Sequence, residues 1–174
     1  RKNIELALHT LAELKKQYPN AALVVTGPLG PHNADNIKYF DTLSSLRNQL
    51  NLQGSAHFLA ELVDSFLPDE VIADFYRVAD ALLFPSREEG FGIPLIEAAF
   101  SHLPAFCADI PPLRELGLED AWFFSPDENP AKIAQMITSY FESALPARLS
   151  MRARLSFRWE AIYRKHIAPL LEKG

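Results

Sequence analysis

Glu89 and Glu97 are the residues of this chain whose type and spacing are best suited to chemistry. They stand eight positions apart in the stretch REEGFGIPLIEA, and Gly90, Gly92 and Pro94 lie between them. Glycine removes the Cβ atom that would keep a ligand away from the backbone, and it permits a positive φ. Proline suits the first turn of a helix, where its missing N–H would have no partner. The stretch therefore predicts a loop with an accessible backbone that leads into a helix.

The start of that helix is expected to bind an anion, because free N–H groups and the positive end of the helix dipole favour negative charge there. We expect the N–H groups of Ile93, Leu95 and Ile96 to point toward it. Glu89 would precede the anion, and Glu97 would lie about one helical turn beyond it. Carboxylates accept hydrogen bonds from hydroxyl groups. A ligand with a central diphosphate and hydroxyls at both ends, such as a nucleotide sugar, would satisfy all of these groups.

Composition and charge exclude several classes of protein. The chain has 174 residues, of which 48% are hydrophobic and 22% charged, as in soluble globular domains. Its net charge of −5 disfavours nucleic acid as a partner. Cys107 is the single cysteine, which excludes an intramolecular disulfide and fits a reducing compartment, so we expect a cytoplasmic protein. The five histidines lack metal-ligand spacing, and we expect neither a metal nor another cofactor.

Short apolar runs alternate with stretches of helical periodicity along the chain. The runs of strand length cover 21–26, 56–60, 81–85, 104–108 and 121–125. Helices are expected over 4–17, 37–50, 67–79, 94–101, 111–116 and 130–141, and over 146–171 with a break near Arg158. Nearly all-apolar strands that alternate with helices indicate an α/β fold. We predict one domain over 1–174, a Rossmann-like doubly wound parallel sheet with helices on both faces and a C-terminal helical extension.

The chain starts at Arg1-Lys2-Asn3, without a methionine. Asn3 is a favourable residue for capping the helix that follows it directly. Because a helix begins within the first four residues, we expect the chain to be a fragment of a larger protein.

Five stretches carry a resemblance to a known family. PSREEGFGIPLIEAA resembles the donor-site signature of the retaining glycosyltransferases of family 4 (group 1), whose pattern is Glu-x7-Glu within PS-x-x-EGFG-x-P-x-x-E-A. FYRVADALLFPS, ADIPPLREL and FRWEAIYRKH resemble other segments of the same family, and RKN resembles its lysine-containing turn. The resemblance implies the C-terminal, donor-binding domain of a two-domain GT-B enzyme. It also implies that the first strand of this domain and the N-terminal acceptor domain are absent.

The resemblance implies a role for three charged residues. Glu89 would bind hydroxyl groups of the transferred sugar, near its reacting face. Glu97 would accept hydrogen bonds from the ribose hydroxyls. Lys2 would neutralise the departing diphosphate, since transferases of this family work without a metal. The backbone from Gly90 through Phe91, Gly92, Ile93 and Pro94 to Leu95 would line the sugar and the diphosphate.

Two further segments and one departure from the family pattern complete the expected site. Phe58, Leu59 and Ala60 lie where the family contacts the base. Gly27 either approaches the ligand as a second glycine loop or forms a structural turn. His102 stands where the family usually has a glycine at the end of the signature helix, and histidine adopts the left-handed conformation only with some strain.

We therefore expect a domain of a retaining, metal-independent hexosyltransferase that uses a UDP or GDP sugar, with mannosyl or glucosyl transfer to an unknown acceptor. Its partners would be the nucleotide-sugar donor and its own acceptor domain. An alternative is a non-catalytic module that binds a nucleotide sugar or a sugar phosphate. A third interpretation is a sugar-nucleotide epimerase or a glycogen-type phosphorylase or synthase.

Basic residues crowd the C-terminal stretch, where Glu160 is the opposing charge. They are Arg148, Arg152, Arg154, Arg158, Arg164 and Lys165. We favour solvated helix faces for them over peripheral contact with anionic lipid at the inner face of the membrane.

Overall fold

All five predicted strands are present, each shorter than its apolar run. The structure is a computed structural model that describes residues 1–27, 34–62, 67–145, 149, 152 and 163–171. The strands are β1 (Leu23–Val25), β2 (Ala56–Phe58), β3 (Leu82–Phe84), β4 (Ala105–Ala108) and β5 (Trp122–Phe124). The chain divides into two compact units, residues 1–134 and 135–174.

Helices alternate with these strands as the periodicity predicts. They are α1 (Ile4–Leu14), α2 (Ala34–Gln49), α3 (Asp69–Val78), α4 (Ile93–Phe100), α5 (Pro111–Gly117) and α6 (Pro130–Ser143). A 3-10 turn (Leu59–Glu61) follows β2. No helix in the described part of the chain combines the length and the apolar content that a membrane crossing requires. The α/β fold class predicted from the sequence is confirmed.

The strands form two parallel sheets rather than the single sheet that we predicted. β1 pairs with β2, with Leu23 opposite Ala56. β3, β4 and β5 form the second sheet in that order, with Leu82 opposite Ala105. No strand among the described residues pairs with both β1 and β3, so no strand hydrogen bonds join the two sheets.

The core of the second sheet centres on β4, whose four residues are all buried. Phe106 is fully buried and stacks on Trp122, with ring centroids 5.3 Å apart. Ala98 of α4 and Leu113 of α5 are buried without any exposed surface. Burial on both faces explains why this strand carries no polar side chain, and each large side chain buried there contributes about 2 kcal/mol.

A second hydrophobic cluster lies under the β1–β2 sheet. It joins α1 and α2 to the sheet, and its buried members are Leu8, Leu11, Leu43, Leu52, Ala56 and Phe58. Phe40 of α2 packs edge-on against Phe58, with centroids 5.4 Å apart. The guanidinium of Arg47 lies 4.9 Å from the centre of the same ring. The apolar periodicity of the first two helices therefore marks their buried faces.

The second unit contains the end of α6, a π-helical turn (Tyr163–Ile167) and α7 (Ala168–Leu171). Tyr140 and Phe141 contact each other edge-on, with centroids 5.2 Å apart. The predicted break near Arg158 lies outside the described residues, as do Arg148, Arg154 and Glu160 and the side chain of Lys165.

Candidate functional site

Three segments of the chain meet beyond the carboxyl ends of β3 and β5. The N–H of Arg87, in the loop after β3, donates to the carbonyl oxygen of Arg1 at 2.9 Å. The side-chain amide of Asn3 donates to the carbonyl oxygens of Pro85 at 3.1 Å and Pro126 at 3.0 Å. Arg87 also pairs with Asp127 in the loop after β5. Ligands of open α/β sheets bind at these strand ends, so the first three residues lie where a site is expected.

Lys2 and Glu89 contact each other in this region. The Nζ atom of Lys2 lies 2.8 Å from Oε1 of Glu89. The Glu89 side chain is 8% exposed, whereas that of Lys2 is 52% exposed. The structure therefore brings together the two residues that the family resemblance marks as catalytic, and it fixes the carboxylate more firmly than the ammonium.

The surroundings of Glu89 favour its ionised form. Burial alone would raise the pKa of this carboxyl group. The ammonium of Lys2 and the adjacent hydroxyl of Ser86 outweigh burial, and together with the charges of Lys2 and Arg1 they hold the pKa below its usual value. Glu89 is therefore a carboxylate at neutral pH, able to accept hydrogen bonds from hydroxyl groups.

Gly90 and Gly92 have different roles, although the sequence suggests the same role for both. Gly92 has a φ of 96° and precedes α4. A Cβ atom added there would lie 2.6 Å from Cδ2 of Leu113, so the missing side chain makes room for α5 rather than for a ligand. A Cβ atom at Gly90 would meet nothing within 4 Å. Of the two glycines, Gly90 is therefore the one that leaves its backbone open to a ligand.

The start of α4 offers fewer free donors than predicted. The N–H of Leu95 donates to the carbonyl oxygen of Gly92 at 2.9 Å, so the prediction that this amide is free for an anion is wrong. The tight first turn brings the two groups together before the regular helical ladder begins. Pro94 has no N–H. Ile96 is the fourth residue of α4, where the regular helical ladder begins. The N–H of Ile93 therefore remains the candidate donor, and the Ile93 side chain is 59% exposed.

A cleft of about 330 Å³ lies between the glycine loop and α5. Its lining residues are Gly90, Phe91, Pro111, Pro112, Glu115 and Leu116. Phe91 is 61% exposed at its edge. The volume lies within the range of small-molecule sites, roughly 300–1,000 Å³. The α5 wall of the cleft was not predictable from the sequence, because that wall depends on how α4 and α5 pack.

Glu97 lies one turn into α4 and is half-buried. Tyr76 of α3 stands beside it. Burial of Tyr76 and its interaction with the Glu97 carboxylate raise the pKa of the tyrosine hydroxyl above its usual value. Tyr76 is a residue of this region that the sequence interpretation missed.

The two remaining predicted segments lie in the other sheet. Phe58 is buried in the cluster under β1 and β2, and Leu59 is buried beside it. Any contact with a base would have to come from their backbone or from Ala60. Gly27 is exposed. No hydrogen bond or ion pair within the described ranges joins Gly27 or 58–60 to Lys2 or Glu89.

Two predictions about backbone conformation have opposite outcomes. His102 has a φ of 53°, which confirms the left-handed conformation after α4. Asn3 occupies the position before α1, but its side chain makes no capping hydrogen bond, so the predicted cap is wrong. Its amide instead reaches the carbonyl oxygens of Pro85 and Pro126. Long-range contacts thus override a local preference.

Among the described residues, no group of three or more histidine, cysteine, aspartate or glutamate side chains has the arrangement of a metal site. The site as described consists of the Lys2–Glu89 pair, the glycine loop, the start of α4 and the α5 cleft.

Comparison with known proteins identifies the family of this chain. Residues 1–156 match the family model for "Glycosyl transferases group 1". A "Serotype-specific mannosyltransferase WbdA" of Escherichia coli is 34% identical over 140 residues, which are 80% of this chain and 16% of that protein. The chain thus spans about a sixth of that relative.

Two solved structures share the fold. The C-terminal domain of the group 1 glycosyl transferase LpcC from Francisella tularensis has a TM-score of 0.67 at 22% identity, covering 84% of this chain and 72% of that one. Anabaena Alr3699/HepE in complex with UDP has a TM-score of 0.58 at 19% identity, covering 97% and 55%. With the family model matching most of its length, the chain belongs to the group 1 glycosyltransferases.

Proposed function

We propose that this chain is the donor-binding, C-terminal domain of a retaining, metal-independent hexosyltransferase that uses a nucleoside-diphosphate sugar. The contact between Lys2 and Glu89, at the carboxyl ends of the strands and before α4, carries the proposal. A half-exposed cation beside a buried carboxylate suits a ligand with both a diphosphate and a hydroxylated ring.

Mannose is the first hexose to test. The WbdA relative, at 34% identity over 80% of this chain, is a mannosyltransferase. HepE, which shares the fold, forms a complex with UDP, which supports a nucleoside diphosphate as the donor's carrier. The base is left to experiment, with UDP, GDP and ADP as the candidates.

The different exposure of Lys2 and Glu89 gives them different tasks. Lys2 is half-exposed, so its ammonium is free to turn from Glu89 to a bound diphosphate. Charge-assisted contacts of this kind stabilise negative charge that grows on a leaving group. The buried carboxylate of Glu89 stays in place and accepts hydrogen bonds from the hexose hydroxyls.

In the proposed reaction, the bond between the anomeric carbon and the diphosphate oxygen breaks. A bond from the acceptor oxygen forms on the same face of the sugar, and the acceptor's proton leaves with the diphosphate. Glu89 holds the sugar while the anomeric carbon gains positive character. Lys2 and the start of α4 stabilise the departing diphosphate.

Glu97 is proposed to hold the ribose. Its position one turn into α4 separates it from Glu89 by the helix start, as a diphosphate between two sugars requires. Tyr76 leaves part of the Glu97 carboxylate free, because a carboxylate can accept several hydrogen bonds.

A transfer assay with the intact protein tests this proposal. We expect Glu89→Gln to lower kcat by about 100-fold or more, since an interaction specific to the transition state is lost. Glu88→Gln is the matched control, because Glu88 precedes Glu89 in the chain and its side chain is 76% exposed. Its ion pair with Arg1 is long, at 4.0 Å. The kcat of this variant should stay within about twofold.

The products decide between the alternatives. Retention of the anomeric configuration in the transferred hexose would support the proposed mechanism. Inversion, or equal rates in the two variants, would contradict it. Binding of a nucleotide sugar without any transfer by the intact protein would favour a non-catalytic binding module.

A further inference from the structure

Asn3 is a buried polar residue in an uncommon backbone conformation. Its φ is 55°, in the left-handed region, and the residue is 9% exposed. Its side chain does not cap α1. Instead, its amide donates two hydrogen bonds, to the carbonyl oxygens of Pro85 and Pro126. Buried polar groups and left-handed backbones both require a specific cause.

Lys2 lies between two attachments to the loop after β3. On one side, the carbonyl oxygen of Arg1 accepts from the N–H of Arg87 at 2.9 Å. On the other side, the Asn3 amide donates to the carbonyl oxygen of Pro85 at 3.1 Å. Glu89 follows two residues after Arg87 in the same loop. The backbone of Lys2 is thereby held against the segment that carries its partner.

We propose that Asn3 is the positioning residue of Lys2, holding the lysine turn so that its ammonium faces Glu89 and, resting on the proposed function, the donor's diphosphate. Asn3 would not touch the donor. It acts through the backbone of Lys2, because its own side chain is hydrogen-bonded to the segments that follow β3 and β5.

Asparagine meets two requirements at this position that other residues meet only in part. It adopts a positive φ more readily than most residues other than glycine. Its amide also supplies two N–H donors for two carbonyl oxygens. Glycine would keep the conformation without the donors, aspartate would bring oxygen atoms against oxygen atoms, and alanine would supply neither feature.

Substitutions of Asn3 can therefore separate the effect of the backbone conformation from the effect of the hydrogen bonds. Asn3→Gly removes the donors and retains the left-handed conformation. Asn3→Ala removes both, and where it folds it is compared with the glycine variant. Asn51→Gly and Asn51→Ala are the matched controls, because Asn51 has a φ of 54° but is exposed after α2, away from this site.

The first readout needs no ligand. The pKa of Glu89 is followed by NMR titration of its side-chain carboxyl carbon in the 174-residue chain. In Asn3→Gly we expect this pKa to rise from its lowered value toward that of an ordinary glutamate, because Lys2 is no longer held against it. The Asn51 variants should match the wild type. An unchanged pKa of Glu89 in Asn3→Gly would overturn the proposal.

The second readout concerns the diphosphate. Affinities for UDP, GDP and ADP are compared with those for the corresponding monophosphates. For whichever base binds, Asn3→Gly should reduce the preference for the diphosphate over the monophosphate by about fivefold. This is less than the complete loss of one charge-assisted hydrogen bond would cause. An equal loss for both phosphates would indicate a purely structural role and would also overturn the proposal.

The two proposals fail in different ways. If the wild type binds no nucleoside diphosphate, the proposed function fails, while the titration of Glu89 still decides the role of Asn3. If the wild type binds and the Asn3 and Asn51 variants behave alike in both readouts, the role of Asn3 fails and the proposed function stands.

Discussion

Lys2 and Glu89 are 87 positions apart in the chain, yet the ammonium of one lies 2.8 Å from the carboxylate of the other. The glutamate side chain is almost withdrawn from solvent and the lysine side chain is not. This asymmetry gives the pair a buried acceptor and a half-exposed cation, and the following predictions concern the pair and the segments that hold it.

The first prediction concerns pH. Because the pKa of Glu89 is lowered in the folded protein, its ionisation stabilises the fold above the ordinary pKa of glutamate, about 4.3. This contribution is lost as pH falls through the lowered pKa. Glu89→Gln should therefore reduce the free energy of unfolding by about 1 kcal/mol at neutral pH. In urea unfolding, the difference between the two proteins should shrink below about pH 4.

Glu88→Gln serves as the control for that experiment, because Glu88 is exposed. A stability difference between wild type and Glu89→Gln that grows toward acid pH would contradict the direction assigned to the Glu89 pKa.

The second prediction separates the two glycines. Gly92→Ala should lower the free energy of unfolding by about 2–4 kcal/mol, since the new Cβ atom would meet Leu113 and the residue has a φ of 96°. Gly90→Ala should change it by about 0.5 kcal/mol or less, because the space around Gly90 is open and its φ is not positive. Urea denaturation measures both.

Ligand binding should show the converse for Gly90. If its open backbone faces the donor, Gly90→Ala weakens the binding of a nucleoside diphosphate while stability is preserved. Equal destabilisation by the two substitutions would contradict the different roles assigned to these glycines.

The third prediction concerns Cys107, which is fully buried in β4. Burial raises the pKa of its thiol to about 12. The thiolate is the reactive form, so the native protein should react with a thiol reagent at pH 8 at least about 100-fold more slowly than the protein unfolded in urea. Rapid labelling without unfolding would show that β4 is more accessible than the structure indicates.

The sequence predicted the order and type of the elements because local periodicity determines them. The apolar run 104–108 contains β4, which is buried on both faces, and the helices show one apolar face. The division into two sheets was not predictable, since it depends on which strand edges meet and not on the strands themselves.

The site residues with a distinctive chemical type were predictable from the sequence, whereas the features that depend on packing between elements were not. Glu89 and Glu97 stand out by their spacing, and the resemblance added Lys2. The sequence does not reveal the role of Gly92, because Leu113 approaches it from another helix. For Asn3 the sequence favours a local cap, since the actual partners, Pro85 and Pro126, are far along the chain. Its type, favourable for a positive φ, was the one available signal.

The most direct measurement is a calorimetric titration of the 174-residue chain with UDP, GDP and ADP, repeated with Lys2→Ala. Lys16→Ala is the matched control, because Lys16 is 70% exposed and pairs with Glu13 at the opposite end of α1 from Asn3. We predict that at least one of the diphosphates binds the wild type and Lys16→Ala equally, and binds Lys2→Ala at least about tenfold more weakly. Absence of binding by the wild type, or equal affinity in Lys2→Ala, would contradict the central claim that this domain holds the diphosphate of a sugar donor beside Lys2.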